Sequence, residues 1–129
     1  MKYKELHGLV LTIQRISGSQ ETKVQKKLFK VYEKVKTIYE DYLEKIEELR
    51  LDNALTDEKG GLILTDQGKY RFGKEGLKKL NKDIAALDEQ EFPFEKIPVV
   101  NPQGLEEFTF LKDWLSGVEF KEEEADEEL

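Results

Sequence analysis

Five lysines near the start of the longest helical pattern are the residues whose type and spacing could bind a charged ligand. They are Lys23, Lys26, Lys27, Lys30 and Lys34. Ammonium groups in such a run can contact phosphates, and the neighbouring Phe29 and Tyr32 can be interpreted as aromatic positions that stack on bases. Against this, the basic residues include almost no arginine and no known nucleic-acid-binding motif occurs. A solvated helix face is the simpler interpretation, and nucleic-acid binding is the alternative.

The other side chains give little support for catalysis or metal binding. Cysteine is absent and His7 is the only histidine, which excludes thiolate chemistry and leaves one imidazole as a general base. The segment DEKGGLILTD (57–66) lacks the alternating oxygen ligands of a calcium loop, and GKYRFGKEG (68–76) lacks the spacing of a phosphate loop. The sequence therefore predicts a non-enzymatic protein with no catalytic, metal-binding or cofactor-binding residue.

Charge is distributed unevenly along the 129 residues. The formal net charge is −7, but the segment EEEADEEL (122–129) holds six acids and no base, which leaves 22 of the 28 acids against 21 bases elsewhere. A terminal acidic block is typical of a solvated, flexible tail, and the alternative is a contact tail that docks on a basic partner. We therefore expect one helical domain with a β-hairpin insert over residues 1–120 and a flexible acidic tail over residues 121–129.

Nothing in the sequence predicts secretion or membrane insertion. Glu5 and His7 interrupt the apolar run near the N terminus, and no small-residue cleavage site follows it. No apolar run approaches the ~18 residues that a membrane-spanning helix needs. Together with the absence of cysteine, these features predict a soluble, cytoplasmic protein that does not enter a membrane.

Apolar residues recur at helical spacing in the first two thirds of the chain. They predict a first helix from about Lys4 to Ile16, a second from about Gln20 to Asp52 and a third from about Lys74 to Asp88. The first two are separated by the short connection SGSQ (17–20), and so short a connection predicts an antiparallel helical hairpin.

The second helix carries more apolar surface than one helical partner can cover. Its main seam follows a nearly heptad spacing, which is typical of a coiled coil, and a second stripe runs beside it. That second stripe comprises Phe29, Tyr32, Tyr39 and Leu43. A helix of this length spans about 45 Å, longer than a compact domain of this size readily covers. We therefore expect part of it to project or to pair with a second copy of the chain.

The segment GGLILTDQGKYRFGKEG (60–76) predicts a small β-hairpin. A three-residue loop that ends at Gly68 in the left-handed conformation pairs Leu64 with Tyr70 and Leu62 with Phe72, which sorts the apolar residues onto one face. This face is predicted to pack on the end of the helical stem.

The last part of the chain predicts one extended segment and one helix. The prolines of EFPFEKIPVV (91–100) exclude a helix, so this segment is a candidate third strand against the hairpin. Asn101 and Pro102 then favour the start of a final helix that ends near Ser116, with Phe110 and Trp114 outside its apolar stripe. The predicted fold class is thus mainly α (α+β), with one long helix, a small β-hairpin and two shorter helices.

The order of these features resembles a class of small phage-encoded proteins of unknown function that are often found among virion-assembly genes. The likeness covers about residues 22–118 and includes a Lys/Glu-rich helical stem. It also includes the segments GKYRFGKEGLKKLNKDIAAL (68–87) and EFPFEKIPV (91–99). The resemblance implies a phage or prophage accessory protein of the host cytoplasm or the virion, and it supplies no catalytic residues.

The leading hypothesis is a protein–protein interaction module. Its partner is a virion component, a host protein that the phage inhibits, or a second copy bound through the long helix. The candidate partner-binding residues are Phe29, Tyr32, Tyr39, Phe110 and Trp114. For Trp114 the simpler interpretation is core packing.

The alternative hypothesis is nucleic-acid binding through the five lysines, with the acidic tail as an intramolecular competitor. A related alternative is that the tail mimics a nucleic acid and occupies a basic cleft of a host protein.

Overall fold

The computed structural model describes residues 1–121 and is mainly helical. Over that range it contains α1 (Tyr3–Ser17), α2 (Thr22–Asn53), α3 (Lys74–Asp88), β1 (Ile97–Pro98), a 3-10 turn (Thr109–Leu111) and β2 (Leu115–Ser116). The predicted long helix is confirmed, and the bounds of all three α-helices agree with the prediction to within two residues. Residues 122–129 of the predicted acidic tail lie outside the described residues.

The chain divides into two compact units. Unit 1 comprises Met1, Glu5–Lys36 and the residues from Pro93 onward, and unit 2 comprises Lys2–Lys4 and Thr37–Phe92. The helix α2 contributes its first half to unit 1 and its second half to unit 2.

The core of unit 1 is built from apolar residues at helical spacing. In α1 and in α2 the helical spacing places these residues on one face of the helix, which is why that face is buried. The buried residues are Leu6, Leu9, Val10 and Ile13 of α1, Leu28, Val31 and Val35 of α2, and Leu105, Leu111, Trp114 and Leu115 of the C-terminal segment. Each fully buried aliphatic side chain contributes about 1.5–3 kcal/mol of hydrophobic free energy.

The strands β1 and β2 pair in parallel, with Ile97 opposite Leu115 and Pro98 opposite Ser116. Two backbone N–H groups carry the pairing: that of Ile97 donates to the Trp114 carbonyl at 2.9 Å, and that of Val99 donates to the Ser116 carbonyl at 3.0 Å. Pro98 lies between these donors, so its missing N–H costs no ladder bond. The predicted partner of this segment was wrong, because β1 pairs with β2 and not with the hairpin.

The predicted final helix over residues 101–116 was also wrong. Gly104 has a φ of +89°, which an α-helix does not accommodate. The chain instead makes successive three-residue turns, in which the N–H of Leu105 donates to the Pro102 carbonyl and that of Phe108 to the Leu105 carbonyl, each at 3.0 Å. One of the two predicted shorter helices is therefore a run of turns that ends in β2.

In unit 2, the loop between Thr65 and Lys69 has the predicted form. Gly68 has a φ of +77°, Leu64 is bridged to Tyr70, and the N–H of Thr65 donates to the Lys69 carbonyl at 2.7 Å. The predicted hairpin was wrong beyond this loop, because residues 60–76 form isolated bridges and no regular strand, and Leu62 is bridged to Thr56 and not to Phe72.

The apolar face of this loop is only partly covered, which corrects the prediction that it packs on the stem. Leu62 and Leu64 remain 40% and 49% exposed. The contact with α2 is made by Tyr70, whose hydroxyl donates to Glu47 at 2.6 Å, and by Arg50, which stacks 5.6 Å from the Tyr70 ring and 6.0 Å from the Phe72 ring. Polar and cation–π contacts thus hold this segment.

The N terminus is held to the end of α3 within unit 2. The Tyr3 ring stacks on Tyr42 with 5.5 Å between centroids, and it lies tilted against the Phe92 ring at 5.2 Å. The Lys2 and Lys4 ammonium groups both donate to Glu89, at 2.8 and 2.5 Å. These two bonds hold the pKa of Glu89 at about 2, well below its usual value.

Replacing Glu89 with Gln is expected to lower stability in a pH-dependent way. Because the folded-state pKa of Glu89 is below that of the unfolded chain, its contribution is present above pH 4.5 and is lost as the pH falls toward about 2. The urea midpoint of Glu89→Gln should therefore lie below that of the parent at pH 7, and the difference should vanish over that window. Glu95→Gln serves as the control, since Glu95 is exposed and takes part in none of the ion pairs within residues 1–121. An equal decrease for both variants at pH 7 would contradict the assignment.

Candidate binding surface

The five lysines singled out in the sequence lie on one face of α2. At 3.6 residues per turn, Lys23, Lys27, Lys30 and Lys34 fall within an arc of about 60°, and Lys26 extends it to about 100°. We call these five residues the α2 basic face. It lies beside the buried row that contains Val31, because the apolar and basic residues follow the same three- and four-residue steps.

One side of the α2 basic face borders a groove of about 330 Å³. We call it the β1 groove. It is lined by Lys27, Lys30, Val31 and Lys34 of α2, by Ile97–Asn101 and by Leu105. Val100 is 98% exposed, whereas Leu105 is 1% exposed at the groove wall. The groove therefore combines ammonium groups on one side with apolar side chains on the other.

The charge of the α2 basic face is not neutralised by the rest of residues 1–121. Lys27 donates to the backbone carbonyl of Gln103, which ties α2 to the turns that follow β1. Lys23, Lys26, Lys30 and Lys34 are exposed, and they take part in none of the ion pairs or side-chain hydrogen bonds of the described chain. Four ammonium groups are thus available to a ligand.

A second, shallower depression of about 520 Å³ adjoins the same face. We call it the Phe29 pocket. It is lined by Ser17, Gly18, Gln25, Lys26, Phe29, Lys30 and Glu33. The Phe29 ring is 56% exposed and lies 6.2 Å from the Tyr32 ring. Because Lys30 lines both depressions, the Phe29 pocket and the β1 groove form one surface of unit 1.

The five aromatic residues predicted to bind a partner are not brought together. Phe29 and Tyr32 are neighbours on α2, whereas Tyr39 is buried and belongs to unit 2. Trp114 is buried in unit 1 with its ring 4.9 Å from Phe94, as the core-packing interpretation predicts, and the half-buried Phe110 lies 6.1 Å from Phe108. Of the five, Phe29 offers the most exposed ring.

Sequence reasoning missed the apolar wall of the β1 groove, formed by Ile97, Val99, Val100 and Leu105. The signal was present in IPVV (97–100), because consecutive apolar residues in an extended segment point to opposite sides. One of them must therefore face away from the core, and Val100 does so.

Two further features of residues 1–121 bear on the chemistry of the chain. Within that range, no group of three or more His, Cys, Asp or Glu side chains is arranged to hold a metal ion. None of the helices described there combines the length and apolarity needed to cross a membrane. His7 lies half-buried on α1.

The surface must be interpreted from its own chemistry, because no family model, curated protein or solved structure matches this chain.

Proposed function

We propose that this protein is a non-enzymatic binding module that takes an acidic, partly apolar segment of another protein on the α2 basic face. The observation that carries the proposal is a set of four lysines, unpaired within residues 1–121, on a helix face that borders an apolar groove. Carboxylates of the partner pair with the ammonium groups, and its apolar side chains contact Val100 and the ring of Phe29.

The charge placement supports a binding role because it does not help the helix itself. The first turn of α2 contains Lys23 and no acid, although the N-terminal end of a helix favours negative charge by about 0.3–1 kcal/mol. The helix dipole thus gives Lys23 no stabilising role at this position. A ligand that carries negative charge gives it a role.

Charge alone gives weak binding, which is why the partner needs apolar residues as well. An exposed ion pair contributes at most ~1 kcal/mol and is screened by salt. Aromatic and apolar anchors seated in depressions contribute more to protein interfaces. The Phe29 pocket and the β1 groove provide two such depressions, one on each side of Lys30.

Further features of the predicted function follow from the resemblance to phage accessory proteins. The partner is then a virion component or a host protein, met in the host cytoplasm or in the virion.

We also propose that α1 and α2 form an antiparallel helical hairpin, because only four residues separate them. Self-association through the long helix α2, whose Phe29 is exposed, is the alternative, and light scattering across concentrations distinguishes it.

Nucleic acid is the second candidate ligand, and the arc of five lysines favours it. Its phosphates would pair with the same ammonium groups, so the salt dependence of binding does not separate the two ligands. The apolar wall of the β1 groove does separate the two ligands, because a phosphate backbone gains no binding free energy from contact with Val100. A protein segment with leucine or phenylalanine between its acids gains binding free energy from both the basic side and the apolar side of the groove.

Replacing Lys30 and Lys34 with Glu is expected to weaken binding by about tenfold or more, since two attractive pairs become repulsive and tenfold equals about 1.4 kcal/mol. The probe is a synthetic peptide in which glutamates alternate with leucine and phenylalanine, titrated into the full chain. An oligothymidylate of equal charge is titrated in parallel. The matched control is Lys74→Glu with Lys78→Glu, which applies the same change to exposed lysines of α3.

The proposal requires that the control variant bind the peptide as the parent does. Equal losses for both double variants would show that only net charge matters. Tighter binding of the oligothymidylate than of the peptide would assign the surface to nucleic acid. Failure of both probes to bind would contradict the proposal that the basic face binds a separate partner molecule.

A further inference from the structure

We propose that residues 122–129 of this chain are an internal occupant of the α2 basic face, so that a partner must displace them. This inference rests on the proposed function, because it assigns a regulator to the same surface. The proposal commits to one ligand, the acidic segment of the same molecule.

The described part of the chain ends against the turns that follow Leu105. The backbone N–H of Lys121 donates to the Glu106 carbonyl at 2.9 Å, and the Lys121 ammonium group pairs with Glu107 at 2.9 Å. Glu106 directly follows Leu105, which lines the β1 groove together with Lys27, Lys30 and Lys34. Lys121, the residue that precedes the acidic segment, is therefore tied to the residue next to Leu105, within the same unit as the α2 basic face.

The segment is long enough to lie along several lysines. Eight residues in extended form span up to about 28 Å. Lys26 and Lys34 are eight positions apart on a helix that rises 1.5 Å per residue, which corresponds to about 12 Å. The extended length of eight residues thus exceeds the stretch of α2 that these lysines occupy.

The charges of the two partners are complementary. The segment holds six acids and no base, and the α2 basic face holds four lysines without a partner in residues 1–121. Attachment to the same chain raises the local concentration of the acids to roughly millimolar, so weak ion pairs suffice for partial occupancy. The attraction is lost in concentrated salt, where the screening length falls to about 3 Å at 1 M.

The segment supplies charge but little apolar area, since Ala125 and Leu129 are its only apolar residues. It cannot match a partner that also inserts side chains at the Phe29 pocket and the β1 groove. The acidic segment therefore competes with ligands that offer charge alone, whereas a partner that offers charge together with apolar anchors displaces it. Its effect on a true partner is a modest increase in Kd.

A spin label at position 125 tests the proposal in the full chain. Because the protein lacks cysteine, Ala125→Cys gives a single attachment point. At low salt we expect paramagnetic broadening of backbone amide signals of residues 26–34 and 97–101. The broadening should disappear at high salt and in the Lys30→Glu, Lys34→Glu variant, and it should persist in the Lys74→Glu, Lys78→Glu control. Thermal unfolding of each variant verifies that it is folded.

Broadening confined to residues just before position 122, or unchanged by Lys30→Glu with Lys34→Glu, would overturn the proposal. A second measurement uses a tail-neutral variant, in which the acids of residues 122–129 are replaced by their amides. It should bind the glutamate–leucine–phenylalanine peptide several-fold more tightly than the parent, and unchanged affinity would count against displacement. If broadening follows the expected pattern and the peptide binds neither chain, the proposed function fails while the internal contact stands.

Discussion

Gly117→Ala is expected to lower the free energy of unfolding by more than backbone strain alone would. A non-glycine residue in an unfavourable backbone region costs about 1–3 kcal/mol. Gly117 has a φ of +84°, and a Cβ atom there would lie 2.7 Å from the Val99 carbonyl oxygen. The obstacle is backbone, so it cannot rotate away as a side chain can. Relief requires that β1 and β2 separate, which displaces Ile97–Val99 from the β1 groove.

Gly68→Ala is the matched control for this prediction. Gly68 has a similar φ of +77°, but a Cβ atom there meets nothing within 4 Å. The control carries the conformational strain without the collision. Urea unfolding should therefore show a larger loss for Gly117→Ala than for Gly68→Ala. Equal losses would mean that the contact between Gly117 and β1 is looser than described.

Leu105→Ala is expected to lower the free energy of unfolding by about 2–5 kcal/mol, the range for truncating a buried leucine. Leu105 is 1% exposed and is packed between the core of unit 1 and the β1 groove. Its loss leaves a cavity behind the groove wall and removes support for the turn at Gln103, whose carbonyl accepts the Lys27 hydrogen bond. Weaker peptide binding should accompany the lower stability.

Val100→Ala separates the two roles of the groove wall. Val100 lines the same groove but is 98% exposed, so its truncation should change the urea midpoint little. Binding of the glutamate–leucine–phenylalanine peptide should still weaken, because an apolar contact is lost. If Val100→Ala left peptide affinity unchanged, the apolar side of the groove would not contact the ligand.

The helices were predictable because their signal is local. Apolar residues recur at three- and four-residue steps through α1, α2 and α3, and their bounds follow from that periodicity. The turn at Gly68 was predictable for the same reason, since only the three-residue loop places Leu64 opposite Tyr70 on an apolar face. The extended character of residues 91–100 follows from its prolines.

The C-terminal part was not predictable because its structure depends on distant contacts. Residues 101–116 carry an N-cap residue, a proline and helical spacing, and these local signals all favour a helix. Pairing of Leu115 and Ser116 with β1 and the positive φ of Gly104 outweigh them. The partner of β1 lies 18 residues along the chain, from Ile97 to Leu115, and no local pattern identifies it.

For the same reason, the sequence predicted the basic side of the candidate surface but not its apolar side. Lysines at three- and four-residue steps predict a basic helical face whatever the tertiary structure. The apolar wall needs β1 beside α2, and that contact depends on the C-terminal turns. Aromatic residue type was a poor guide, since Tyr39 and Trp114 are buried while Phe29 is exposed.

The most direct test of the central claim is a map of where the ligand binds. Backbone amide signals of the tail-neutral chain are followed while the glutamate–leucine–phenylalanine peptide is added. We predict that shifts concentrate on residues 26–34 of α2 and residues 97–101 around β1, on both sides of the groove. Shifts that instead centre on α3, or that spread evenly over all exposed lysines, would contradict the assignment of the α2 basic face as a binding site.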